Sequence, residues 1–334
     1  MKKTYYLMNP GRLSRTDNTL KFVPTDEEGL EGQARYLPVE AVEELYVFGA
    51  LDANSSLYNF LGKNEISVHF YDYYENYTGS FMPRDQLLSG KLLINQVKFQ
   101  LNKTKRLEIA KSFIEGASYN IVKNLKYYDN RGKDLQTQIT IIQEYSNSIA
   151  TSKTVEALMG IEGNIRSKYY EAFNLIINDL DMGGRSKQPP LNEVNALISF
   201  GNMMCYSQCL RAIQQTQLNP TISYLHSPGE RRYSLALDLA EIFKPILVDR
   251  LIFSLLNRRE IKPDDFDLKI NKVLLKEKGK KTFVTGFENK LSETIQHRKL
   301  GKSVSYRYLI RLECYKLIKH LMEIEEYKPF KMWW

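Results

Sequence analysis

The stretch from Ser234 to Asn257, SLALDLAEIFKPILVDRLIFSLLN, constrains this chain more than any other. It is apolar on almost every side, the mark of a helix enclosed by the core of its domain. Three carboxylates interrupt it: Asp238, Glu241 and Asp249. A lone buried carboxylate is costly unless a cation or hydrogen bonds compensate it, so each of the three needs a partner. Asp238 and Glu241 stand one turn apart and share a face. Pro245 has no amide to bond the carbonyl of Glu241 and crowds that carbonyl, which predicts a kink where the carboxylates point. His226 lies just upstream in the loop SYLHSP. A loop imidazole facing two helical carboxylates is a candidate site for a divalent metal. The alternative is a set of structural salt bridges from Asp238 and Glu241 to Arg231, Arg232, Lys244 or Arg250.

A second amphipathic segment opens at LMGIEGN and runs through IRSKYYEAFNLII. Glu162 sits there among small residues, where backbone or a phosphate can approach closely. Arg166 and Tyr169 follow on the same face.

These pieces carry a resemblance. GIEGN, then SKYYEAF, PPLNEVNALISFGN, YLHSP and SLALDLAEIFKPILVDR resemble, in order and spacing, the CRISPR-associated adaptation integrase family, whose nuclease/integrase subunit inserts new spacers. The likeness spans roughly residues 155–255, and the whole chain has the family's usual length. Each motif alone is weak; the succession is specific. The resemblance implies that Glu162, His226 and Glu241 bind a divalent metal, with Asp238 at the neighbouring acidic position of the same catalytic group. Lys244 stands where the family often has arginine before the helix proline, keeping the charge without the bidentate fork. A Glu/His/Glu donor set suits Mg²⁺ or Mn²⁺, Mn²⁺ better matching the imidazole. Such an ion serves phosphodiester hydrolysis and strand-transfer transesterification alike. The resemblance further implies a homodimer joined through the N-terminal part and a small ferredoxin-like partner protein. Its substrate would be double-stranded and branched DNA.

Charge points the same way. Residues 1–85 carry 8 Lys and Arg against 13 Asp and Glu, whereas the remainder carries 39 against 26. That asymmetry assigns polyanion binding to the later part. Two runs are especially basic: 91–131, with 9 basic and 3 acidic residues, and 276–311, with 10 and 3. Arg166, Arg185, Lys187, Arg232 and Lys244 are the candidate DNA contacts near the site, Arg185 and Lys187 through the loop MGGRSKQPP. Two other readings stay open: a DNA-binding scaffold without chemistry, and a repair nuclease that cuts branched DNA without integrating it.

No apolar run approaches a membrane span, and MKKTYYLMNPGRL lacks the apolar stretch of a signal peptide. Three cysteines without metal-type spacing fit a reducing cytoplasm. Cys205 and Cys209 read as core residues of a helix.

The expected fold is multi-domain α+β: a small N-terminal β-sandwich over 1–85, serving dimerisation, then an all-α metal-dependent catalytic domain over 86–334. Short Val/Tyr/Phe runs separated by Gly, Pro and Asn turns make the first part β, with one short helix near 53–61. From residue 86 the periodicity is helical. Helices are expected at about 133–149, 153–180, 192–217, 231–257 and 303–326, and a lysine-rich turn at 276–281.

Overall fold

The computed structural model describes residues 2–26, 28–83, 88–186, 189–229, 233–269 and 272–333. The chain forms two compact units, Met1–Leu88 and Ser89–Trp334. The expected boundary at 85–86 lies outside the described residues.

The first unit holds two four-stranded sheets. Strands β1 (Lys3–Leu7), β5 (Val42–Val47), β7 (Ser67–Tyr71) and β8 (Tyr77–Phe81) form one, in the order β1-β5-β7-β8. In it β1, β5 and β7 run parallel and β8 antiparallel. Strands β2 (Gly11–Thr16), β3 (Thr19–Pro24), β4 (Arg35–Pro38) and β6 (Leu51–Asp52) form the other, ordered β4-β3-β2-β6. Leu13, Leu20 and Phe22 from one sheet join Leu7, Val42, Leu45, Val47 and Val68 from the other in one apolar cluster. Helix α1 (Ser55–Lys63) is capped by Asn54, which accepts the Leu57 N–H at 3.0 Å, and contributes Leu57, Phe60 and Leu61 to that cluster.

The second unit is mainly helical: α2 (Gly90–Leu101), α3 (Lys103–Asp129), α4 (Gln136–Asn147), α5 (Val155–Ile176), α6 (Glu193–Gln214), α7 (Ser234–Lys244), α8 (Arg250–Asn257), α9 (Glu277–Ser292) and α10 (Tyr306–Leu321). Helix α7 packs on α3 and α6, and its buried residues include Leu235, Ala236, Leu239, Ala240, Ile242 and Phe243. That enclosure is what the all-round apolar sequence demands.

The unit is not all-α as expected. Two antiparallel ribbons interrupt it, β9 (Phe266–Lys269) with β10 (Lys272–Leu275) and β11 (Thr294–His297) with β12 (Lys302–Ser305). Each is too short to announce itself by alternation, and each is fastened by a few apolar residues, Phe266, Val273 and Leu275 in one and Val304 in the other. The lysine-rich segment 276–281 is also not a turn; it opens α9. The lysines mask a stripe of Phe283, Val284, Phe287 and Leu291, all buried, whose spacing is helical. Cys205 and Cys209 are free and buried. No described helix is long and apolar enough to cross a membrane.

At Pro245 the helix does not stop. Between α7 and α8 the chain makes a π-helical turn over Pro245–Asp249. The missing amide of Pro245 frees the carbonyl of Glu241, and two asparagines of α3 take carbonyls that follow it in the widened turn. Asn120 Nδ2 donates to the Ile242 carbonyl at 3.1 Å, and Asn124 Nδ2 donates to the Pro245 carbonyl. Both asparagines are fully buried. In an apolar core they must find partners, so they and the widened turn fix each other.

Candidate active site

Helix α5 begins at Thr154, whose hydroxyl accepts the Ala157 N–H at 3.1 Å. It carries Glu162, Gly163, Arg166 and Tyr170 along one wall of a cavity of about 780 Å³. Helix α7 supplies Glu241 and Lys244, the loop before it supplies His226, and the Gly183–Gly184 loop supplies Arg185. Glu162, His226 and Glu241, which are scattered along the chain, thus line one space. At Gly163 a β-carbon would meet nothing within 4 Å, so this wall is open to an incoming molecule.

The polar groups are tightly engaged. Arg166 bridges two carboxylates: its Nε lies 3.3 Å from Glu162 Oε1 and its Nη2 lies 2.5 Å from Glu241 Oε2. The same Nη2 donates at 3.5 Å to the Glu241 carbonyl, the acceptor freed by Pro245. Lys244 Nζ sits 2.5 Å from the other oxygen of Glu241. Burial by itself raises the Glu241 carboxyl, but Lys244 and Arg166 outweigh it and hold the group well below the usual carboxylate range. The neighbours that decide its charge are cations. Among the described residues no group of three or more His, Cys, Asp or Glu side chains stands as a ready ion cage; Arg166 and Lys244 each hold an oxygen of Glu241.

Asp238 plays a different part. Its side chain is wholly buried. One oxygen accepts the His226 N–H at 2.9 Å and His226 Nδ1 at 2.8 Å; the other accepts the N–H groups of Tyr224 and Leu225 at 2.7 and 3.0 Å. Four donors saturate it. Asp238 therefore folds the loop and aims the imidazole rather than facing the cavity. A carboxylate can only accept, so Nδ1 carries the proton and Nε2 is the nitrogen left for the space that His226 lines. Burial lowers the His226 pKa, and the hydrogen bond and charge of Asp238, with Glu241, more than reverse this, so the ring is easier to protonate than a free histidine. The third carboxylate of the core helix, Asp249, is 2% exposed. Burial pushes it up to about 6 against the lowering effects of Arg166, Tyr169 and Lys244.

Salt bridges and site are thus one arrangement. Glu241 pairs with Lys244, one of the partners the sequence offered, and also with Arg166. Arg185 donates through Nη1 to Asn195 Oδ1 at 2.8 Å and through Nη2 to Ser199 Oγ at 3.3 Å. Burial lowers its pKa. Lys187, Arg231 and Arg232 lie outside the described residues. Tyr169, expected beside Arg166, is turned into the core, its hydroxyl accepting from Asn124 at 3.2 Å; Tyr170 lines the cavity in its place. Sequence reasoning missed Asn120 and Asn124. Their signal was present: two asparagines one turn apart on the apolar face of α3.

The profile of the family described as CRISPR-associated protein Cas1 matches residues 5–289. A CRISPR-associated endonuclease Cas1 from Fusobacterium nucleatum is 48% identical over 335 residues, covering all of this chain and 98% of the relative. Among solved structures, a Cas1 protein from Thermotoga maritima superposes with a TM-score of 0.85 at 36% identity, over 98% of this chain and 100% of that one. A casposase bound to its integration product shares the fold, with a TM-score of 0.86 at 23% identity over 98% of this chain and 93% of its own. The motifs on α5, α7 and the intervening loop lie inside the matched region, and the chain belongs to the Cas1 family of CRISPR-associated proteins.

Proposed function

We propose that the protein is a divalent-metal-dependent DNA nuclease and integrase that inserts foreign DNA fragments as spacers into a CRISPR array. The observation that carries this reading is the meeting of Glu162, His226 and Glu241 on one cavity with the cations Arg166, Arg185 and Lys244. Carboxylate oxygens and an imidazole held at Nδ1 by a carboxylate form a donor set suited to Mg²⁺ or Mn²⁺. When bound, the ion polarises a phosphoryl oxygen and stabilises the leaving alkoxide.

The chain's own residues do the rest. Glu162, His226 and Glu241 hold the ion. Asp238 keeps the proton on His226 Nδ1 so that Nε2 offers its lone pair. Arg185, and Arg166 and Lys244 where Glu241 releases them, take non-bridging phosphate oxygens. Gly163 leaves room for the backbone of the nucleic acid. Water as the attacking group gives strand cleavage; a DNA 3′-hydroxyl in the same position gives integration. Family membership supports a homodimer joined through the N-terminal β unit and a small ferredoxin-like partner. It also favours branched duplex as the substrate over a scaffold without chemistry, which leaves the donor set without a purpose.

The test is nicking and strand transfer on branched duplex DNA in Mn²⁺, with EDTA as control. Glu162→Gln, His226→Ala and Glu241→Gln each lower the rate by about a thousandfold or more while duplex binding stays within about threefold, since losing one metal ligand removes a transition-state interaction. Wild-type rates in Glu241→Gln overturn the reading.

A further inference from the structure

Glu162, Arg166, Glu241 and Lys244 form a closed quartet of charges. Arg166 Nε and Nη2 reach both carboxylates, and Lys244 Nζ takes the remaining oxygen of Glu241 at 2.5 Å. Two anions face two cations. All four are largely shielded: side-chain exposure is 20% for Glu162, 11% for Arg166, 7% for Glu241 and 16% for Lys244. The balance suits an empty site and opposes a loaded one, because a divalent ion adds two positive charges to a cluster that is already neutral.

The two cations are not equally free to yield. Arg166 is fixed at three points, the Glu162 carboxylate, the Glu241 carboxylate and the Glu241 carbonyl. Lys244 has a single partner among the described groups, Glu241 one turn before it, and carries its ammonium on a flexible four-carbon stem. It also lines the cavity with Arg185, where a phosphate brought in by DNA would meet it.

We propose that Lys244 is the resident counterion of Glu241, displaced when a divalent metal binds, and that a DNA phosphate draws it away, so that DNA and metal load the site cooperatively. The inference rests on Glu162, His226 and Glu241 being the metal ligands. Its physical content is one exchange. Lys244 leaves a carboxylate for a phosphate, the carboxylate becomes available to the ion, and net charge changes less than if either ligand bound alone. Linkage makes the coupling reciprocal: the factor by which DNA tightens metal binding is the factor by which metal tightens DNA binding.

The measurement is Mn²⁺ affinity of the full chain from the EPR signal of the free ion, with and without a branched duplex lacking a 3′-hydroxyl, corrected for Mn²⁺ held by that DNA alone. DNA tightens Mn²⁺ binding to the unaltered chain by about tenfold, within the usual range of such couplings. Lys244→Met binds Mn²⁺ about tenfold more tightly without DNA and gains several-fold less from DNA than the unaltered chain does, what is left being the phosphate's own contact with the ion. Lys244→Gln serves the same end if the methionine variant does not fold by circular dichroism, and the comparison with and without DNA needs no variant. Unchanged Mn²⁺ affinity in Lys244→Met, with binding still abolished in Glu241→Gln, overturns the Lys244 inference and leaves the metal site standing. DNA-independent Mn²⁺ affinity in the unaltered chain overturns it as well. Mn²⁺ binding that is absent throughout, or indifferent to Glu241→Gln, removes the metal site and the inference together.

Discussion

His226 Nδ1 rests 2.8 Å from Asp238 Oδ1, and that same carboxylate gathers the backbone N–H groups of Tyr224, Leu225 and His226. One buried anion therefore shapes the loop and sets the tautomer of the ring it presents.

Two effects of Asp238→Asn follow. An amide nitrogen facing the Tyr224 and Leu225 N–H groups sets donors against donors, so stability falls by roughly 3 kcal/mol, as for the loss of a buried charged partner. Urea unfolding measures this. The His226 pKa, followed by NMR of the ring protons, drops, because the bond and charge that raise it are weakened. An unmoved His226 titration removes Asp238 from this role.

Gly163 separates folding from function. It lies within helix α5, where glycine is a poor helix former, and its missing β-carbon faces open space. Gly163→Ala raises stability by about 1 kcal/mol. Gly163→Leu keeps most of that gain yet lowers Mn²⁺-dependent cleavage by tenfold or more, because its side chain stands where the nucleic acid approaches. Full activity in the leucine variant places the DNA elsewhere.

Asp249 gives a pH signature. Its folded carboxyl titrates at about 6, above the ordinary 3.8. A raised carboxyl is stabilising while it stays protonated, so its contribution is full below the unfolded pKa and is lost as pH rises through the folded one. The loss amounts to roughly 2 kcal/mol between pH 4 and pH 8. Asp249→Asn carries no such charge. Its stability relative to the unaltered chain rises from pH 4 to pH 8 in urea melts, and a parallel pair of curves contradicts the assignment.

The basic run on α3 has a checkable focus. Lys123 and Lys331 place their ammonium groups 5.8 and 5.7 Å from the centre of the Tyr119 ring, and with Lys126 they line a groove of about 460 Å³ between α3 and α4. Changing all three lysines to glutamine weakens duplex binding and lowers the salt slope by up to about 3, roughly one per phosphate contact. Fluorescence anisotropy across a salt series reads it. An unchanged slope makes this face a solvated one.

Much of the molecule was legible from local pattern. The Val, Tyr and Phe runs broken by turn residues before residue 85 and the period of 3.6 after it separated strands from helices. The buried nature of α7 followed from its all-round apolarity, and the position of trouble at Pro245 from the missing amide. What local pattern left out were elements whose apolar positions are few or interleaved with lysine: the two ribbons and α9. The family motifs named Glu162, His226 and Glu241, but not their state. Asp238 and Glu241 share one helix face and both carry a carboxylate; sequence treats them nearly alike. Tertiary structure divides them, because the returning loop spends its amides on Asp238 while α5 brings Arg166 against Glu241. The fate of a buried charge depends on which groups arrive within a few ångströms of it, and those come from distant parts of the chain.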